Sequence, residues 1–530
     1  MSEPPAAENG QQRLLKSTSV VGSMTLLSRI SGLAREIAFA HGFGAGLAMD
    51  AFVVAFRIPN LFRRFFAEGA FSQAFVPIIA EYRARRSQAE TQALIDRVAG
   101  TLGVALFVIS ALGVVLAPVL VLVFASGFGG GNGRLELATD MLRFTFPYLF
   151  FVSLTALAGG ILNAHRRFAV PAFTPVLLNV TLIAFAIWVA PQIDRPAMAL
   201  AVGVFVAGLV QLLFQVPFLL RAGLLPRPRW GWAHAGVKRI TRLMAPVIFG
   251  SSVAQINILF DTWIASFLVT GSISWLYFAD RLVEFPLGVF GVALATVILP
   301  NLSDHHTRAS TEAFSATLDW ALRWVLLIAL PASLALGVLA EPLIVTVFFG
   351  GEFGLNDVEM ATWSLRAFAP GLVGFILVKV LAPGYFARQD TRTPVRIGVR
   401  ALLLGMVLNV VFVLALLRTG WAPAHAGLAA ATTLAALFNA GALLAGLVRS
   451  GVYRSRHGWR RLVLGVAGAC AIMVALIEWL LWLLGDWSAM STWSQIGAMG
   501  ICVVGPGFAY FAACLAFGLR PRDFRLYASI

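Results

Sequence analysis

Fourteen stretches of this chain are apolar and long enough to cross a bilayer, and this repetition constrains the fold more than any other feature. They run over 19–42, 48–81, 95–126, 137–163, 169–190, 197–221, 238–269, 272–301, 317–349, 358–387, 394–417, 424–449, 459–485 and 492–519. A hydrocarbon core of about 30 Å takes about 20 helical residues, and a helix satisfies its own backbone there. The chain therefore reads as an all-α polytopic membrane protein with about fourteen transmembrane helices. Composition agrees: 12% of residues are charged, against about 25% in soluble domains. The second, eighth and tenth stretches hold internal proline or charge and are expected to bend or break.

The net charge of +15 would suggest nucleic acid in a soluble protein. Here it marks topology, and no nucleic-acid partner is expected. One set of loops carries Arg83, Arg85 and Arg86; Arg166 and Arg167; Arg221, Arg227 and Arg229; Arg308; Arg388 and Arg392; Arg454 and Arg456; and Arg520, Arg522 and Arg525. The opposite set holds Arg134, Arg195 and Arg418. The positive-inside rule places both termini in the cytoplasm, and an even span count agrees. Residues 1–18 read as a cytoplasmic tail, the first dozen polar and disordered. The first apolar stretch contains arginine and lacks a small-residue cleavage site, unlike a cleaved leader.

The chain repeats itself at an offset of 223 residues: Pro77 answers to Pro300, Arg143 to Arg366, Pro147 to Pro370 and Pro171 to Pro394. Six spans per copy is an even number, so both copies enter the membrane in one direction, as in transporters built from two parallel bundles. The expected architecture is an N-lobe over 19–222, a C-lobe over 223–450, a central cavity between them, and an added helix pair with the C-terminus over 451–530.

Charges inside the apolar stretches are not spread evenly. The first span carries Arg29, Arg35 and Glu36; the second carries Asp50, Arg57, Arg63, Arg64 and Glu68; the eighth carries Asp280, Arg281 and Glu284. One such charge costs about 3 kcal/mol at the centre of a membrane helix, so a cavity or a charged partner must receive it. Guanidinium groups stay ionised and grip phosphate bidentately, which points to an anionic, phosphate-bearing substrate. Arg281 and Glu284 stand at i and i+3, close enough to pair. Arg57, Arg63, Arg64 and Glu68 also fit a kink at the cytoplasmic interface, where long side chains snorkel. Asp261 in the seventh span is a lone carboxylate, a candidate site for a coupling cation or proton.

No Walker A, HExxH or GxSxG pattern is present, so neither an enzyme nor an ATP-driven pump is expected. Cys470, Cys502 and Cys514 lie in apolar stretches and read as small core residues. No metal or cofactor set is expected.

The segments SRISGLARE, FGAGLAMDAFVVAFRIPNLFRRFFAEGAFSQAFVPIIAEY and SWLYFADRLVEFPLGVFGVALATVILP resemble the MurJ (MviN) group of lipid II flippases in the MOP exporter superfamily. The resemblance covers essentially the whole chain. It implies transport of undecaprenyl-pyrophosphate carrying the peptidoglycan disaccharide-pentapeptide, from the cytoplasmic to the periplasmic leaflet of the bacterial inner membrane. It implies substrate-binding roles for Arg29, Arg35, Asp50, Arg63 and Arg281, with Glu284 beside the last. It also implies a groove for the polyprenyl tail on the last two spans, coupling to a monovalent cation or the membrane potential, and cell-wall synthesis proteins as partners. Glu36 departs from the aspartate of many relatives and keeps the carboxylate. Competing expectations are another oligosaccharide-lipid or drug exporter of the superfamily, or a non-transporting scaffold of a cell-wall complex.

Overall fold

The computed structural model describes residues 6–64, 70–131, 133–307 and 310–520. Glu68, Arg308, Arg522 and Arg525 lie outside the described residues. Twenty α-helices make up the described chain, with short 3-10 and π turns between some of them. They fall into two compact units, with the division between Thr270 and Gly271.

The first unit holds α1 (Ala6–Phe43), α2 (Leu47–Arg63), α3 (Ala70–Arg85), α4 (Gln88–Val115), α5 (Ala117–Phe124), α6 (Arg134–Thr145), α7 (Tyr148–Ala164), α8 (Ala169–Ala184), α9 (Pro196–Arg221) and α10 (Ala235–Ala265). The second holds α11 (Ser272–Pro286), α12 (Val292–Thr307), α13 (Thr311–Val338), α14 (Ala340–Phe348), α15 (Leu355–Phe368), α16 (Gly371–Phe386), α17 (Arg392–Thr419), α18 (Ala426–Arg449), α19 (Trp459–Leu484) and α20 (Thr492–Ala516). Helix α1 begins at Ala6, inside the segment expected to be a disordered tail. The run AAENGQQRLLK is rich in good helix formers, and the helix continues without a break into the first span.

The repeat is written into the backbone. Helices α4, α5, α7 and α8 start at Gln88, Ala117, Tyr148 and Ala169; α13, α14, α16 and α17 start 223 residues later at Thr311, Ala340, Gly371 and Arg392. Ser87 caps α4 and Ser310 caps α13, each accepting from the backbone N–H three residues on. The breaks at Leu116 and Leu339 share one conformation, φ −86°, ψ 8° and φ −82°, ψ 10°. Arg166 and Gln389 each adopt φ of 60°, the left-handed turn that ends α7 and α16. Breaks occur in more spans than expected, because prolines stand at the start of second segments: Pro118 in α5, Pro147 before α7 and Pro342 in α14.

Each copy also holds a buried aspartate that ties down the chain leaving its sixth span. Asp96 Oδ1 accepts from the Arg227 N–H at 2.8 Å and from Gln92 Nε2 at 2.9 Å. Asp319, its counterpart, accepts from Tyr453, Trp459, Arg323 and the Arg456 N–H. The boundary between the compact units nevertheless falls a helix later than the repeat boundary at 222/223. Side chains explain this: Trp263 of α10 donates to Ser126 at 2.9 Å, Ser266 accepts from the Gly127 N–H at 3.0 Å, and Arg239 pairs with Glu81 at 2.9 Å.

Among the described residues, nine helices are long and apolar enough to cross a membrane, and the pair α15–α16, bent by 41°, makes a tenth. The candidate spans outside that set are the first, second, seventh and eighth, which are the charged ones. Counting fourteen spans requires these four to cross as well. Large apolar side chains cover the outside: Phe107, Phe508 and Trp482 are each more than 60% exposed. Such a surface belongs against lipid.

Candidate functional site

In the first unit the charged side chains form two groups, one where α1 meets α8 and one where α2 meets α10. On α1, Arg35 pairs with Glu36, which is buried. Arg35 Nη1 also donates to Asn179 Oδ1 on α8 at 3.0 Å. The Asn179 amide nitrogen donates to the Ser28 carbonyl at 3.1 Å and to Ser31 Oγ at 3.0 Å, so one side chain both orients the arginine and fastens α8 to α1. The guanidinium lies 5.7 Å from the Phe39 ring centroid, a cation–π distance. Arg29 is half-buried one and a half turns earlier and is not part of this group.

Asp50 is 1% exposed in the first turn of α2, where the positive end of the helix dipole favours a carboxylate. Two turns on, Arg57 donates to Thr262 Oγ1 of α10 at 2.6 Å. Arg63 is half-buried in the last turn of α2, and Arg64 caps it in an exposed position. Asp261 is half-buried on α10 and accepts from Asn257 at 3.2 Å. Among the described residues no group of three His, Cys, Asp or Glu gathers in metal-binding proximity.

In the second unit Arg281 on α11 is 2.7 Å from Glu284 and 3.4 Å from Asp280. The i, i+3 pairing expected from spacing is thus present. The guanidinium stands 5.0 Å from the Tyr277 ring centroid, one turn back. Positions 277, 281 and 284 share a face at i, i+4 and i+7. Just beyond, α11 passes through a π-helical turn at Leu287–Gly291 before α12, a local break of the kind found at functional sites.

In each unit an arginine of a charged span, Arg35 or Arg281, is held by a carboxylate and an aromatic ring. Arg323, with Asp319 and Trp459, and Arg366, with Glu341 and Trp363, are held in the same way elsewhere in the second unit. Asn179, Thr262 and Tyr277 are partners that the sequence reading did not name. The signal for Asn179 was available: an amide alone inside the apolar run VLLNVTLIAF.

The family model "Lipid II flippase MurJ" matches residues 39–496. A Vibrio cholerae protein named "Probable lipid II flippase MurJ" is 46% identical over 97% of this chain and 98% of its own length. The chain belongs to the lipid II flippase MurJ family. A Burkholderia cenocepacia member named "Lipid II flippase MurJ" is 42% identical over 97% of this chain and 99% of its own. A solved MurJ structure in an inward closed conformation matches with a TM-score of 0.76 at 24% identity, covering 94% of this chain and 97% of that one. An inward-facing multidrug MATE transporter of the MOP superfamily matches with a TM-score of 0.65 at 15% identity, covering 82% and 98%. These likenesses establish the fold as that of the superfamily, and the family is one of transporters, not enzymes.

Proposed function

We propose that this chain flips lipid II from the cytoplasmic to the periplasmic leaflet of the bacterial inner membrane by alternating access, with both termini cytoplasmic. Arg35 and Arg63 of the first unit and Arg281 of the second bind the pyrophosphate head group, and Arg29 assists. The observation that carries this reading is the placement of intramembrane charge: spans 1 and 2 in the first copy, 7 and 8 in the second, and in each unit an arginine already held by a carboxylate.

The chemistry follows from desolvation. A pyrophosphate with sugar and peptide attached cannot enter hydrocarbon unaided. Arginine replaces water with charge-assisted hydrogen bonds. Glu36, Asp50 and Glu284 neutralise the arginines when no substrate is bound, and substrate phosphate competes with them. Weak, exchangeable gripping suits a carrier, which must release on the far side. The membrane potential contributes about 2.3 kcal/mol per charge per 100 mV, and Asp261 is the candidate for a coupled monovalent cation. Lipid substrate, bulk membrane lipids and cell-wall synthesis proteins are the partners of this reading. A drug exporter for cationic compounds would need an acidic cavity, which the arginines oppose.

The test is binding. Purified protein should retain undecaprenyl pyrophosphate, and Arg35→Ala and Arg281→Ala should each weaken that retention about tenfold or more. Equal retention by both variants would remove the arginines from the substrate site.

A further inference from the structure

Two cavities of the first unit lie along the same three elements. The first, about 300 Å³, opens between Arg83, Arg86, Gln88, Gln92, His165 and Leu224. The second, about 560 Å³, is lined by apolar groups including Gly103, Phe107, Leu154, Leu157, Val216 and Trp230. Helix α4 contributes 88, 91, 92 and 95 to the first and 99, 100, 103, 104 and 107 to the second. That spacing of three and four is one continuous helix face. Ile95 and Ala99 are a single turn apart, about 6 Å along the axis. Helix α7 runs the other way and gives the same order: His165 follows its end at the polar cavity, and Leu157, Leu154 and Phe150 line the apolar one. The chain leaving α9 supplies Leu224 to the first and Leu225, Pro226, Pro228 and Trp230 to the second.

The polar end is cationic. Arg86 is 3.3 Å from Glu90, both more than half exposed, so the pair can exchange. Arg83 donates to the Ala164 carbonyl, and Arg167 reaches the Phe218 carbonyl at 3.4 Å. Arg83 and Arg86 line the pocket, Arg167 lies near His165 at its rim, and Glu90 and Glu81 are carboxylates within electrostatic reach of Arg86. The arginine-rich loops put this end at the cytoplasmic surface. The apolar end opens outward, since Phe107 and Trp230 are each 65% exposed. A cationic pocket one turn from an outward apolar groove matches a lipid with a phosphate head and a hydrocarbon chain. A soluble anion would have no use for the groove. None of these residues is among the candidates for substrate binding.

We propose that this face of the first unit binds an anionic phospholipid of the cytoplasmic leaflet, its phosphate at Arg83 and Arg86 and one acyl chain in the groove beside Gly103. The site does not depend on the flippase reading.

Two variants probe its two ends. Arg86→Gln changes an exposed side chain. Gly103→Leu fills the groove, and a Cβ at Gly103 meets nothing within 4 Å, so the helix accepts it. Full-length protein exchanged into phosphatidylcholine micelles is titrated with phosphatidylglycerol, and bound lipid is counted by native mass spectrometry, with melting temperature as the control for folding. The wild type should retain phosphatidylglycerol over phosphatidylcholine, and each variant should lower that retention about tenfold with its melting temperature kept. Unchanged retention in either variant overturns the site. Displacement of the bound lipid by millimolar inorganic phosphate would make the pocket a soluble-anion site and overturn it too. So would loss in Gly103→Leu of polyprenyl pyrophosphate with phosphatidylglycerol kept, which would give the groove to the transported lipid.

Discussion

Asp319→Ala should unfasten the end of the second repeat copy. The carboxylate is 2% exposed and its partner Arg323 is 14% exposed, with Nε 2.6 Å from Oδ2. Oδ1 accepts from Trp459 Nε1 at 2.7 Å, from the Tyr453 hydroxyl at 2.9 Å and from the Arg456 N–H at 3.3 Å. Summing about 1.5–3 kcal/mol for each charged hydrogen bond would overshoot, because the donors on the loop regain water. Breaking a buried pair by removing one member costs about 3–5 kcal/mol, and that is the expected loss. For a unit of this size it corresponds to a fall in melting temperature of roughly 6–20 °C. Asp319→Asn keeps an acceptor and loses the charge, so it should cost about half as much. The counterpart Asp96 holds one backbone N–H and one glutamine, with no arginine on its carboxylate among the described contacts. Asp96→Ala should therefore fall in the range of about 1.5–3 kcal/mol. The assay is thermal unfolding of purified protein at one fixed scan rate, read by tryptophan fluorescence, since unfolding of such a protein is commonly irreversible. Asp96→Ala costing as much as Asp319→Ala would refute the reasoning from partners.

Asn179→Leu removes both the acceptor for Arg35 and the tie to α1, and should cost about 1–3 kcal/mol in melting experiments while weakening pyrophosphate retention. Gly374→Ala should destabilise by about 1–3 kcal/mol, because its Cβ would come within 2.9 Å of the Ala436–Leu437 backbone on α18; an unchanged melting temperature would show that α16 can shift. His165 and His234 are both held below the ordinary histidine range, first by burial and then by neighbouring arginines, Arg83 and Arg167 for one and Arg97 for the other. Their folded forms take up protons less readily than the unfolded chain. Stability should then fall as pH drops through about 6.5 and level off below the folded pKa values. His165→Gln with His234→Gln should flatten the melting temperature between pH 8 and 5.

Hydropathy and the 223-residue offset made the helical class and the doubling of the chain legible, because both are one-dimensional patterns. Pairing of Arg281 with Glu284 was legible for the same reason, being a matter of helical spacing. What was not legible depends on which helices touch. Asn179 lies 144 residues from Arg35, and nothing along the chain connects them. Asp96 and Asp319 stand at equivalent places, but nothing along the chain shows that the loops after each copy's sixth span fold back onto them. The packing of α10 with the first unit was hidden because the repeat suggested a boundary at 222/223, while Trp263, Ser266 and Thr262 find their partners on earlier helices.

The most direct test of the central claim is the amount of lipid II accessible at the outer leaflet of cells depleted of this protein and re-expressing wild type or Arg281→Ala, with no second flippase present. The account predicts that accessible lipid II falls on depletion and returns with wild type alone. Outer-leaflet lipid II that stays unchanged on depletion would contradict transport by this chain, and full rescue by Arg281→Ala would contradict the arginine site.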